Sequence, residues 1–161
     1  MIIGNPYQIA VQLEQIDILC SPSGVFNFII NDRLIPGRGI TIDLYVVISS
    51  LKESLSNGLK NKIPDIGDTP IEKMDFSEGM SDKLISLNGA ELHDYGCVFW
   101  LGFDGDEERL IYTVDFEENF MEFRYPKGTI EFLIKSLPPE NCLVMEKKDN
   151  FTTTTTTTTT G

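Results

Sequence analysis

The 161-residue chain has one histidine, His93, and one tryptophan, Trp100. A lone imidazole cannot supply the His-based sets that zinc enzymes and many acid–base sites use. The three cysteines, Cys20, Cys97 and Cys142, are odd in number and far apart. They match neither a disulfide framework nor a zinc-ligand spacing, and they suit a reducing cytoplasm. Long apolar runs are missing: no stretch of about 18 apolar residues exists, so no membrane-spanning helix is expected. The opening, Met1 to Pro6, lacks the basic and long apolar regions of a signal peptide. Positive charge is scarce, with 13 Lys and Arg against 25 Asp and Glu and a formal charge of −12. Nucleic acids and anionic membranes are bound through cationic side chains, so neither is an expected partner. No cofactor is expected either. Pro36-Gly37-Arg38-Gly39 lacks the Gly-Lys-Ser/Thr end of a phosphate-binding loop.

What is present is a sizeable apolar complement, 41% hydrophobic and 10% aromatic, enough for a core. The acids are unevenly spread. Between Asp94 and Glu122 stand nine of them (Asp94, Asp104, Asp106, Glu107, Glu108, Asp115, Glu117, Glu118 and Glu122) and one base, Arg109. That segment holds −8 of the net charge.

Hydrophobic periodicity predicts an α+β fold. Ile9, Val11 and Leu13 alternate with polar and small residues as in a strand, and Ile16 and Ile18 resume the alternation one step out of phase, as across a bulge. Ser21-Pro22-Ser23-Gly24 reads as a turn, and Val25–Ile30 as a strand. Asn31-Asp32 is a tight turn into Arg33-Leu34-Ile35. Leu44, Val47, Ile48, Leu51 and Leu55 share a helical face, with Asp43 or Thr41 as cap and Asn57-Gly58 as a stop. The β-prone Tyr45–Ile48 makes a strand the competing reading. Residues 59–90 read mostly as loop, with a short helix near Ser81–Leu87 that turns Leu84 and Leu87 inward. Cys97, Phe99, Leu101 and Phe103 are expected on one buried face with Leu110, Tyr112, Val114 and Phe116, across a hairpin turned at Asp104-Gly105. Phe120–Tyr125 completes a meander, and Ile130, Leu133, Ile134 and Leu137 form a second helical face. The expectation is one domain over 1–145: an antiparallel sheet with a C-terminal meander and two helices packed on it. Residues 146–161, with nine consecutive threonines, read as a disordered tail.

Several residue sets invite a chemical reading. Asp104-Gly105-Asp106-Glu107-Glu108 has carboxylates at alternate positions, as calcium loops do, but its glycine spacing and β flanks are wrong for an EF-hand. No metal site is expected there. The alternatives are a metal-dependent hydrolase using Asp104, Asp106 and Glu108, and a calcium-stabilised structural module. No phosphate-binding basic cluster accompanies these acids, and a solvated hairpin turn is the plainer account. Cys97 with His93 could be a nucleophilic pair, but a thiol in an apolar strand is usually packing. No catalytic residue is therefore expected. Trp100 would ordinarily be core, and on an open face it could anchor an interface. The acids Asp104, Asp106, Glu107, Glu108, Glu117 and Glu118 are expected to meet a cationic partner, which would relieve their mutual repulsion. The two turns of a meander lie at opposite ends of a sheet, so these acids divide into two patches. Asp65, Asp68, Glu72, Asp75, Glu78 and Asp82 are the alternative surface.

Three stretches carry a family likeness. They are Ile3-Gly4-Asn5-Pro6-Tyr7, Gly24–Asp32 with Leu34-Ile35-Pro36-Gly37, and Trp100-Leu101-Gly102-Phe103-Asp104-Gly105. Over residues 3–137 the chain resembles the polymorphic-toxin immunity proteins of family forty-two, of the contact-dependent inhibition type. The resemblance implies a small cytoplasmic protein that binds and neutralises a cognate toxin domain, many such toxins being nucleases with cationic grooves. It brings no catalytic residues with it. The threonine tail departs from the family pattern, and oligomeric state is not legible.

Overall fold

The alternation at Ile9, Val11 and Leu13 does make a strand, and all three side chains are buried. The computed structural model describes residues 1–17, 22–37, 39–76 and 83–139. Ile18, Cys20, Arg38, Glu78, Ser81, Asp82, Cys142 and the threonine tail lie outside these described residues. Strands β1 (Ile2–Asn5), β2 (Ile9–Asp17), β3 (Ser23–Ile30) and β4 (Arg33–Ile35) form an antiparallel sheet in that order, and the short β5 (Ile42–Asp43) also pairs with β3. The predicted break in phase is a register shift between Gln15 and Asp17. Ser23-Gly24, expected in a turn, opens β3. The Asn31-Asp32 turn closes the β3–β4 hairpin with φ of 51° and 64°, values that Asn and Asp tolerate better than other side chains.

Helix α1 spans Leu44–Lys60, and Asp43 caps it by accepting from the Val46 N–H at 3.0 Å. Leu44, Val47, Ile48, Leu51 and Leu55 form its buried face. The helix passes through the expected stop at Asn57-Gly58. Gly58 serves packing instead: a Cβ there would stand 2.5 Å from the Ile85 side chain.

A second antiparallel sheet follows: β6 (Ile85–Leu87), β7 (Val98–Asp104), β8 (Glu107–Thr113) and β9 (Met121–Pro126), in that order. The strands are thus divided between two sheets where the sequence pattern joined them in one. The short helix expected near Ser81–Leu87 is absent at 85–87, where β6 pairs with β7 through Ile85↔Leu101 and Leu87↔Phe99. The edge of the meander offered free backbone groups, and a three-residue strand satisfies them. Helix α2 (Thr129–Lys135) closes the order. Among the described residues no helix is long and apolar enough to cross a membrane.

Both sheets and both helices share one core. Phe28 of β3 meets Phe99 of β7 with ring centroids 4.8 Å apart, which joins the sheets. Cys97, Phe99, Leu101, Leu110 and Tyr112 are buried in that core, while Phe103 and Val114 are partly buried. Phe116 breaks the expected pattern. It lies beyond the end of β8, and its side chain is exposed. The opposite face of the second sheet is covered as well. Trp100 and Ile111 pack there with Leu84, Ile66, Met74 and Phe76, in a smaller apolar cluster. Because both faces are filled, Phe99→Ala and Trp100→Ala are each expected to cost about 3–5 kcal/mol in a denaturant melt. A wild-type midpoint for Trp100→Ala would show that the outer face is not a core.

Candidate partner-binding surface

The β7–β8 hairpin turns tightly, with Asp104 opposite Glu107 and Gly105 at φ +59°. Its tip does not stand alone. The Asp65 carboxylate accepts from the Gly67 N–H at 2.7 Å and from the Gly105 N–H at 2.5 Å, docking the 61–70 segment on the turn. Those two backbone donors hold its pKa below the usual carboxylate value.

Two arginines organise the acids beside the tip. Arg109 on β8 and Arg124 on β9 stand directly opposite each other, an unfavourable pairing of like charges. Glu122 lies between them. Arg109 is 1% exposed and grips Glu122 with two hydrogen bonds, Nε–Oε2 at 2.6 Å and Nη2–Oε1 at 2.8 Å. Its Nη1 donates to the Gly67 carbonyl at 2.9 Å, which holds the covering segment on the outer face. Arg124 lies 3.4 Å from Glu122 and reaches outward to Asp104 and Asp68 at 2.7 Å and Glu107 at 3.1 Å. Asp68 is 93% exposed at its side chain.

The sequence-predicted residues therefore divide. Asp104 and Glu107 share Arg124, and Asp106 is exposed at the turn between them. Asp65 and Asp68, assigned by sequence to a rival surface, belong to this one. Glu72 lines the same shallow depression as Asp68, Arg109, Glu122 and Arg124. Glu108 does not join the patch, being 1% exposed. Strand alternation turns it to the core side, where its carboxylate accepts from the Ile130 N–H at 2.5 Å. The Gly128 and Thr129 N–H donors also act on the carboxylate, and the Ile130 bond makes Glu108 the cap of α2, whose own N-cap, Gly128, has no side chain to do so. Burial pushes its pKa up, against the downward pull of those donors. Trp100 is only 8% exposed, on the outer face under Phe76 and Phe120, and presents no open ring.

Glu117 and Glu118 are exposed at the other end of the meander. The seven residues of β8 separate the two ends by roughly 20 Å at about 3.3 Å per residue. Nearby, the Asp115 carboxylate accepts from the Asn119 side chain and backbone and from the Thr113 hydroxyl, which lowers its pKa to about 2. Among the described residues no three His, Cys, Asp or Glu side chains converge to hold a metal ion. Asp104 and Glu108, two members of the hypothetical hydrolase set, point to opposite faces of the sheet.

One protein-family model matches residues 1–140. The chain belongs to the immunity protein 42 family. The fold of this family member is similar to the crystal structure of CdiI from Burkholderia dolosa AUO158. The TM-score is 0.53 at 14% identity, over 84% of this chain and 96% of that one, and at that identity the likeness is one of fold. No curated protein matches the chain.

Removing one partner of the buried ion pair leaves the other charged and unpaired. Glu122→Ala is therefore expected to cost about 3–5 kcal/mol, and a denaturant midpoint near that of wild type would contradict it. For the α2 cap, Glu108→Ala is expected to lose about 1–2 kcal/mol, the usual worth of a cap. Glu108→Gln keeps an acceptor and does not ionise. The folded-state pKa of Glu108 is raised, so its contribution is full below the unfolded value and is lost as pH rises through the folded value. The stability of the Gln variant relative to wild type should accordingly improve as pH rises from below the ordinary carboxylate range. A pH-independent difference would refute the buried carboxylate.

Proposed function

We propose that this chain is an immunity protein that binds and neutralises a cognate toxin domain, without catalysis of its own, through the acidic surface at the β7–β8 tip. The family supports the class of function. The observation that carries the surface is the gathering of acids from two distant parts of the chain at this tip: Asp68, Asp104 and Glu107 on Arg124, Asp65 on the Gly105 N–H, and Asp106 exposed in the turn. A toxin with a cationic groove, as a nuclease has, complements such a surface. The encounter belongs in the cytoplasm, a reducing compartment that suits a buried, core-packed cysteine such as Cys97.

Arg124 neutralises part of this surface and pairs with three of its carboxylates. The proposed role is thus complementarity to a particular array of cations, beyond bulk negative charge. Charge of this kind acts mainly on encounter. The double variant Asp106→Lys/Glu107→Lys is expected to associate about tenfold more slowly with the cognate toxin domain, with a shallower dependence on ionic strength and an unchanged melt. Association rates and a salt slope equal to those of wild type would move the interface off this tip.

A further inference from the structure

Phe116 is the residue that alternation assigns to the core and the fold turns outward. Its side chain is 66% exposed and its φ is +58°, and Glu117 follows at +67°. For a bulky L-residue that conformation is sterically costly. A solvent-exposed ring offers little packing to offset the cost, and glycine would occupy the position without it.

The loop is nevertheless firmly held. Thr113 Oγ1 accepts from the N–H groups of Asp115 at 3.3 Å and Glu117 at 3.1 Å. Asp115 in turn accepts from the Asn119 backbone at 3.0 Å and side chain at 2.8 Å. The Phe116 N–H donates to the Gly96 carbonyl at 3.2 Å, and the ring lies against Gly96, where a Cβ would approach it to 3.1 Å. The backbone that carries the ring is thus held in place. The exposed acids Glu117 and Glu118 follow it in the chain, and the exposed Asp94 stands two residues before Gly96. The lone base of the 94–122 segment, Arg109, is buried and committed to Glu122.

Single exposed apolar side chains are common on protein surfaces. Here exposure coincides with a disfavoured backbone, a hydrogen-bonded loop and two adjoining exposed acids, Glu117 and Glu118. We infer that Phe116 is an aromatic anchor that enters an apolar pocket on the toxin domain, a pocket whose rim carries Lys or Arg to meet Glu117 and Glu118. This rests on the immunity reading above and adds a contact that the reading does not require. Pre-organisation lowers the entropic cost of seating such a ring. A standard interface covers about 800 Å² per partner, roughly 30 Å across, so anchor and acidic tip fit within one.

The test uses the full chain and its cognate toxin domain, with association and dissociation read separately. Phe116→Ala should dissociate at least about thirtyfold faster, as loss of a hot-spot aromatic does, with association and its salt slope close to wild type. Phe116→Gly should bind as weakly as the Ala variant and melt at or above the wild-type temperature, because glycine relieves the strained φ. Opposite signs for stability and binding separate an anchor from a merely structural residue. Wild-type dissociation in Phe116→Gly would overturn the anchor and leave the immunity reading standing. Absence of any binding by the wild-type chain would overturn both.

Discussion

The second sheet depends on a buried guanidinium. Arg109 sits mid-strand on β8, facing away from the main core, and a charge in that position must be fully paired or it destabilises the fold. Its partners come from two directions: Glu122 on the adjacent strand and the Gly67 carbonyl of the covering segment. Satisfying Arg109 therefore closes the outer face of the sheet. Trp100, Ile111 and Leu84 then lie beneath that cover. Arg124 is left at the border, opposite Arg109 across the ladder, with Glu122 shared and three further carboxylates within reach. One ionic constraint in the interior thus sets the layout of the exposed acids.

Two kinds of carboxylate emerge from one acidic segment. Glu108, Glu122 and Asp115 are structural: they cap a helix, pair a buried arginine and tie a loop. Asp106, Glu117 and Glu118 are exposed to solvent. The exposed groups at the two ends of the meander are farther apart than the Debye length of about 8 Å at physiological ionic strength, so each end acts locally. The tip has a built-in cation, Arg124, with carboxylates paired to it. The 114–119 loop has an exposed ring and no exposed base between Asp94 and Glu122.

The fold is similar to that of CdiI from Burkholderia dolosa at 14% identity. A core asks only for apolar side chains of about the right volume at the right period, so many sequences satisfy it. Surface positions carry no such demand and are free to follow a partner. Fold likeness therefore speaks to the scaffold, whereas the array around Arg124 and the ring of Phe116 are features of this chain's own surface.

Much of the fold was legible in the sequence because periodicity and turn chemistry are local. The alternation of Ile9, Val11 and Leu13, the Asn31-Asp32 and Asp104-Gly105 turns, the Leu44–Leu55 face and the bulge near Ile16 all appear where the pattern puts them. Boundaries failed where a distant contact overrode the local signal. Gly58 looks like a helix stop and is a packing site for Ile85, and Ile85–Leu87 looks helical until β7 offers it hydrogen bonds. The inward assignment of Phe116 failed because alternation holds only while a strand continues, and β8 ends at Thr113. The family resemblance, too, was carried by short local motifs. The candidate surface was legible only as a count of acids. Which of them are exposed depends on which face of a strand each occupies and on what covers that face. Placing Asp65 and Asp68 beside Asp104 joins positions about forty residues apart, and turning Glu108 inward answers the unpaired N–H groups of α2. Long-range hydrogen bonding made those assignments, and only tertiary structure contains it.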